Sequence, residues 1–348
     1  MTLRMRAIWA HDLKMRLGRE RYRIFVRVNG GVAKPVDAGH GAYNRDYCAD
    51  PFLFRHGGAN WLFFETLDKT GKGVLGCLRQ DGDGWTPQGL VLEEPWHLSY
   101  PQVFEEDGRV YMIPESCDAK GDFRRGHVAL YEAVEFPGKW RKVATLIDRP
   151  FADATLFKKD GRYYLSCYKV TKEEDAEIWQ SPSLAGPWTK HPQSGNTNQS
   201  KRLRRNGGAF QAVDGQLYRI AQDGNGGYGK RLFMVPVLEL SPDRYREGDA
   251  RPFPLDSSWP RNGMWHTYNK LSTPEGLVEV IDFKDYVPYP PLVRALVWAR
   301  TVLHTMFRMS VKRGKGFLIQ AFGVQIIYGS VKERPALLQL RIGRIPKR

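Results

Sequence analysis

Five stretches of this chain repeat one local design, and that repeat limits the fold more than any other feature. Residues 99–116 read SYPQVFEEDGRVYMIPES: two short runs joined by Asp107-Gly108, with Val103, Val110 and Met112 apolar and Glu115 at the exit. An Asp-Gly pair between alternating runs suits the left-handed dihedrals of a tight hairpin. The design returns in DPFLFRHGGANWLFFE at 50–65, DATLFKKDGRYYLSCY at 153–168, GGAFQAVDGQLYRIAQ at 207–222 and WHTYNKLSTPEGLVEVID at 265–282. Taking Pro51, Pro101, Ala154, Gly208 and His266 as comparable entrance positions, the intervals are 50, 53, 54 and 58 residues. A four-stranded unit of this length cannot bury its own faces and must pack radially against neighbours. The expected fold is therefore all-β, a five-bladed β-propeller.

The propeller is assigned to residues 40–287, with an N-terminal extension over 1–39 and a basic, partly helical C-terminal extension over 288–348. Closing strands for the ring are available from residues 22–49 as well as from the last repeat. Residues 1–19 read as an amphipathic helix. After the Pro288, Pro290 and Pro291 boundary, Leu292, Leu296, Val302, Leu303, Met306 and Phe307 fit one apolar side of a second helix. Trp85, Trp140 and Trp188 fall at matching repeat positions, which favours blade packing over sugar-stacking platforms. Arg202, Arg204 and Arg205 read as a solvated basic turn, with phosphate binding as the alternative.

Charge divides unevenly. The chain is +15 overall, yet residues 1–49 hold ten Lys/Arg against four Asp/Glu, and residues 288–348 hold twelve against one Glu. The repeats are thus nearly neutral and offer no basic groove for nucleic acid, whereas the ends suit anionic donors, phosphates or lipid headgroups. Peripheral membrane contact through the C-terminal extension, or packing of that extension on the propeller, follows from this. Cys48, Cys77, Cys117 and Cys167 show no CxxC pair and no metal-ligand spacing. The N-terminal run MTLRMRAIWAHDLKMRLGRERYRIFV is interrupted by charged residues and does not read as a secretory signal. The expectation is a cytoplasmic chain, peripheral at the inner membrane face where it meets lipid.

Radial blades bring sequence-distant positions to one central funnel. Asp50, Tyr100, Asp153, Gly208 and His266 stand at comparable entrances; Glu65, Glu115, Tyr168, Gln222 and Asp282 stand at comparable exits. Asp50, Glu115 and Asp153 are the candidate catalytic groups, with blade-edge capping as their structural alternative. Glu65, Tyr100, Tyr168, Gln222 and His266 are the candidate substrate-binding groups. His266 is also suited to packing or to ligating an ion, but no cluster in the sequence names a metal, and none is assigned.

Asp50-Pro51, Phe151-Ala152-Asp153-Ala154 and the DG-containing hairpins resemble the five-bladed superfamily that includes glycoside hydrolase family 43. YPQVFEEDGRVYMIPES looks more specifically like the N-terminal propeller domain of glucosamine inositolphosphorylceramide transferases. The resemblance covers roughly residues 40–287 and implies the propeller and a carbohydrate context. By analogy with family 43, Asp50 resembles the base and Asp153 the aspartate that tunes acidity, whereas the later glutamate that serves as acid is not evident near Phe210-Gln211. The leading expectation is a glycosyl-transferring enzyme of surface polysaccharide or glycolipid biosynthesis, acting on a carbohydrate or glycolipid. No cofactor is assigned beyond a sugar-nucleotide or lipid-linked sugar donor. A furanoside hydrolase and a non-catalytic glycan-binding propeller are the alternatives.

Overall fold

A computed structural model describes residues 17–297 except 38–42, 45, 119–125, 170–174, 196–200, 225–229 and 262–263, together with backbone strands between 307 and 342. The chain divides into one unit over Arg21–Asp285 and another of Met1–Glu20 with Tyr286–Arg348. The larger unit carries the five antiparallel blades. Blade one runs from Cys48–His56 to Gly84–Leu92, blade two from His97–Glu106 to Lys139–Ile147, and blade three from Phe151–Lys159 to Thr189–Lys190. Blade four runs from Gln211–Val213 to Tyr245–Glu247, with Arg251–Pro252 pairing alongside. Blade five is built from both ends, since Tyr268–Thr273 and Gly276–Pro288 are completed by Gly18–Val28 and Lys34–Pro35. The ring is therefore closed by chain that precedes the first repeat.

The hairpins form where the turn chemistry requires them. Asp107-Gly108, Asp160-Gly161, Asp214-Gly215 and Gly57-Gly58 all have positive φ at both central residues, the signature of type I′ turns whose twist matches the strands. Alternation then gives each blade apolar faces, and a separate buried layer fills each blade interface. Phe54, Phe63 and Leu75 meet Leu98, Val103 and Met112 between blades one and two. Ile113 and Leu130 meet Phe151 and Leu165 between two and three, and Phe157 and Tyr164 meet Val237 and Tyr245 between three and four. Ile220 meets Ile281 and Phe283, and Val278 and Val280 meet Leu62 and Phe64, completing the circle. Trp140, Trp188 and Trp85 pack on three of these layers as expected of framework aromatics. All four cysteines are buried free thiols.

The smaller unit differs from the helix expected there. A helix occupies 291–297, but Phe307 opens a strand, Phe307–Lys312, in a four-stranded meander with Gly316–Ala321, Val324–Val331 and Arg334–Ile342. The reason is periodicity: FRMSVK has apolar residues at every second position, which fits a strand and not a helix face. Val302, Leu303 and Met306 lie outside the described residues, as does the helix expected over most of 1–19. No helix among the described residues is long and apolar enough to cross a membrane.

Candidate active site at the propeller axis

The funnel entrances owe their geometry to a repeated bulge. In blade one Ala49 pairs with Glu65 and Phe52 with Phe63; in blade two Ser99 pairs with Glu115 and Gln102 with Ile113; in blade three Ala152 pairs with Tyr168 and Thr155 with Ser166. Each inner strand thus carries one extra residue next to the exit position of its partner strand. Asp50, Tyr100 and Asp153 occupy the bulges with φ of 50°, 48° and 51°. Left-handed backbone costs an ordinary residue on the order of 1–3 kcal/mol and persists only when its surroundings fix it.

For Asp153 and Asp50 those surroundings include the exit carboxylates of the neighbouring blades. Glu115 accepts from the Asp153 N–H at 2.5 Å and from Ser99 Oγ at 2.8 Å. Asp282 does the same for blade one, accepting from the Asp50 N–H at 3.1 Å and from the N–H groups of His266 and Thr267 at 3.0 and 2.9 Å. Amide side chains clamp the same junctions: Gln102 bonds both ways with the Leu156 backbone, and Asn269 donates to the Pro51 carbonyl. Tyr100 is fully buried and lies under the site. Its hydroxyl accepts from the Gly208 N–H at 2.8 Å and meets Thr155 Oγ1 at 3.0 Å. Thr155 donates to the Asp153 carbonyl, so the Tyr100 proton points to Thr155.

Each entrance carboxylate has a different fate. Arg205 grips Asp153 with Nε and Nη2 at 2.5 and 2.9 Å, lies over the Tyr168 ring at 5.6 Å, and comes within 4.0 Å of Glu115. Asp50 instead accepts from Thr267 Oγ1 at 2.7 Å through Oδ1, and among the described residues its Oδ2 receives no hydrogen bond. Gln222 donates to the Asn206 carbonyl at 2.7 Å and reaches Asp153 at 3.5 Å. Glu65 faces His97 Nε2 at 3.1 Å, and since His97 Nδ1 accepts from the Gly73 N–H, the imidazole proton is on Nε2. His266 Nδ1 makes a very short bond to Asp282 and stands 3.7 Å from Asp50.

Burial dominates the proton affinities. It lifts Asp50 to about 7, with His266 acting downward and Glu65, Asp282 and Asp153 acting upward. It lifts Glu115 to about 8, reinforced by Asp153 and opposed by Arg205. Burial disfavours the His266 cation, yet Asp282 and Asp50 outweigh it and raise the imidazole to about 9. Asp282 feels the same desolvation, but the His266 contact holds it below the ordinary range. The ligand atoms of Asp50, His266 and Asp282 lie within 4.8 Å of one another. This donor set suits a divalent cation, a grouping no local sequence motif discloses; as the side chains stand, the imidazole proton bridges to Asp282.

All eight expected site residues therefore line or support one axis, but Glu115 and Tyr100 are held by internal bonds. The residues that sequence reading missed are Arg205, Thr267, Asn206 and His97. Of the basic turn, Arg202 is exposed as expected and also pairs with buried Asp223 through Nε and Nη2 at 2.7 and 2.9 Å, whereas Arg205 turns inward to Asp153. The fourth entrance is Gly208, where a Cβ would lie 2.0 Å from the Tyr268 carbonyl oxygen. No side chain fits at that position.

The family profile described as glucosamine inositolphosphorylceramide transferase 1, N-terminal, matches residues 28–271. Glucosamine inositolphosphorylceramide transferase 1 of Arabidopsis thaliana is 36% identical over 230 residues, which is 64% of this chain and 29% of that protein. The protein of the same name from Oryza sativa subsp. japonica is 37% identical over 229 residues, 62% of this chain and 30% of its own length. The chain spans under a third of the curated relatives it matches. Among solved structures, a thermostable family-43 glycoside hydrolase aligns with a TM-score of 0.51 at 9% identity, over 70% of this chain and 90% of that one. An exo-β-1,3-galactanase from Phanerochaete chrysosporium with β-1,3-galactotriose aligns at 0.50 and 12% identity, over 71% and 64%. At such identities the likeness shows the propeller fold alone.

Proposed function

The chain belongs to the family of the N-terminal domain of glucosamine inositolphosphorylceramide transferases, and from that premise we propose that it acts in glycosyl transfer to a glycolipid, with the axial funnel handling the sugar. The observation that carries this reading is Asp50. Glu115, Asp153 and Asp282 each have both carboxylate oxygens engaged by the protein, whereas Asp50 keeps Oδ2 open. Its affinity for a proton near neutrality suits a general base that takes the proton of an acceptor hydroxyl, a contribution worth roughly 10²–10⁴-fold in rate. Glu115 and Asp153, with both carboxylate oxygens of each held by protein groups, set the charge beside Asp50 rather than meeting the acceptor hydroxyl.

Hydrolysis of the family-43 kind is disfavoured by Gly208, because the backbone of blade five fills the space of a fourth-blade side chain. A second reading, a non-catalytic glycan-binding propeller, is favoured by the number of carboxylates tied up as blade caps. One experiment separates the three. The purified chain is given nucleotide sugars and lipid-linked sugars with glycan and glycolipid acceptors, and products are identified by mass. Transfer products that fall about 100-fold or more in Asp50→Asn, with acceptor binding retained, support the proposal. Free sugar alone would move the assignment to hydrolysis. Glycan binding without turnover, unchanged in Asp50→Asn, would sink it in favour of the binding propeller.

A further inference from the structure

We infer that the helix at 291–297 is a docking element for an anionic lipid bilayer. The inference does not rest on the transfer reading, because it concerns the smaller unit and its test involves no turnover. The helix opens at Pro291, which is well placed at a first helical position, and the Arg294 N–H donates to the Pro290 carbonyl at 3.0 Å. Leu292 and Leu296 are 74% and 64% exposed, and Val293 beside them is 39% exposed. At 100° per residue Leu292 and Leu296 share one line and Arg294 falls on the opposite side. Two leucines on one line, left this open, form an apolar stripe that no described residue covers.

Charge identifies the occupant. The segment 288–348 carries twelve Lys/Arg and a single Glu, a net +11 concentrated in 61 residues, while the stretch 50–287 sums to about −2. A protein partner would need a strongly acidic surface around an apolar groove. A bilayer containing phosphatidylserine or another anionic lipid supplies both elements at once: a boundary into which a short amphipathic helix sinks its apolar face, and a negative surface that draws basic residues within a Debye length. Seven described helical residues with two or three apolar contacts bind a neutral interface only weakly, so the charge is required and binding should be salt-sensitive.

The test is co-sedimentation of the full chain with vesicles of phosphatidylcholine alone or with about 30% phosphatidylserine, at low salt and at 0.5 M NaCl. The expected result is partitioning at least about tenfold stronger to the anionic vesicles, lost at high salt. Leu292→Glu/Leu296→Glu should reduce that partitioning about tenfold or more while leaving the thermal unfolding midpoint unchanged, since both side chains face solvent. Equal binding to neutral and anionic vesicles, or full binding by the double variant, would overturn the inference. So would a wild-type dimer in lipid-free solution that the double variant converts to a monomer, because the stripe would then belong to a second copy.

Discussion

Arg205 offers the sharpest check on how the site is held. Its guanidinium meets Asp153 through two hydrogen bonds, with the arginine 23% and the aspartate 3% exposed. Removing one member of a buried ion pair typically costs 3–5 kcal/mol, because the remaining charge is left desolvated. The arginine is partly wet, so Arg205→Ala should cost about 2–3 kcal/mol. In a unit the size of Arg21–Asp285 this corresponds to a fall of roughly 4–8 °C in the unfolding midpoint. Asp153→Asn in the Arg205→Ala background should recover part of it, and a double-mutant cycle should return a coupling of about 1–3 kcal/mol. Calorimetry reads both. An Arg205→Ala midpoint within a degree of wild type would refute the claim that Asp153 is held by this fork.

Two further outcomes follow from the same site. Asp50 has its pKa raised from 3.8 to about 7, so the native state keeps a proton that the unfolded chain has released, and stability falls as pH rises across that window. Asp50→Asn should unfold like wild type near pH 4 but be more stable above pH 7, by on the order of 1–3 kcal/mol; a constant difference at pH 4, 6 and 8 in urea titrations would contradict this. Gly208→Ala should cost roughly 3 kcal/mol or more through its clash with the Tyr268 carbonyl, whereas Gly215→Ala, at a turn with open space around it, should cost about 1 kcal/mol. Equal unfolding midpoints for the two variants would show that blades four and five do not approach as described.

The ring itself was legible because its signals are local: Asp-Gly turns and two-residue alternation lie within each fifty-residue repeat. Positions at the axis were legible for the same reason, as Asp50, Tyr100 and Asp153 stand at one offset from their hairpins. Their left-handed backbone was not. It depends on caps from elsewhere in the chain, Glu115 for Asp153 and Asp282 for Asp50, which lie 38 and 232 residues away. Arg205 was hidden within a run of basic residues whose partners, Asp153 and Asp223, come from another blade or the far end of a strand. The helix expected through Phe307 does not include Phe307, because apolar residues near Pro291 fit a helical period and those from Phe307 fit a strand, and the sequence between them marks no break.

The two best-formed junctions at the axis share a design and differ in one respect, which accounts for where chemistry is available. At the junction of blades two and three, and again at that of blades five and one, an exit carboxylate caps the N–H of a left-handed aspartate on the next blade. Each junction also holds one cation. At the first it is Arg205, which binds the entrance aspartate and approaches the cap only to 4.0 Å. At the second it is His266, which binds the cap Asp282 and stands 3.7 Å from the entrance aspartate. The permanent charge therefore closes Asp153, while the titratable one leaves Asp50 partly open. A histidine at this place also links the two functions of the junction. Losing its proton near pH 9 would leave Asp282 ionised without a cation beside it, weakening the pair that caps Asp50 and raising the cost of a charged Asp50 together. The stabilising part of His266 is complete below about 6.5 and disappears as pH rises through about 9, so the range in which Asp50 is ionised with its backbone secured is bounded by Asp50 below and by His266 above.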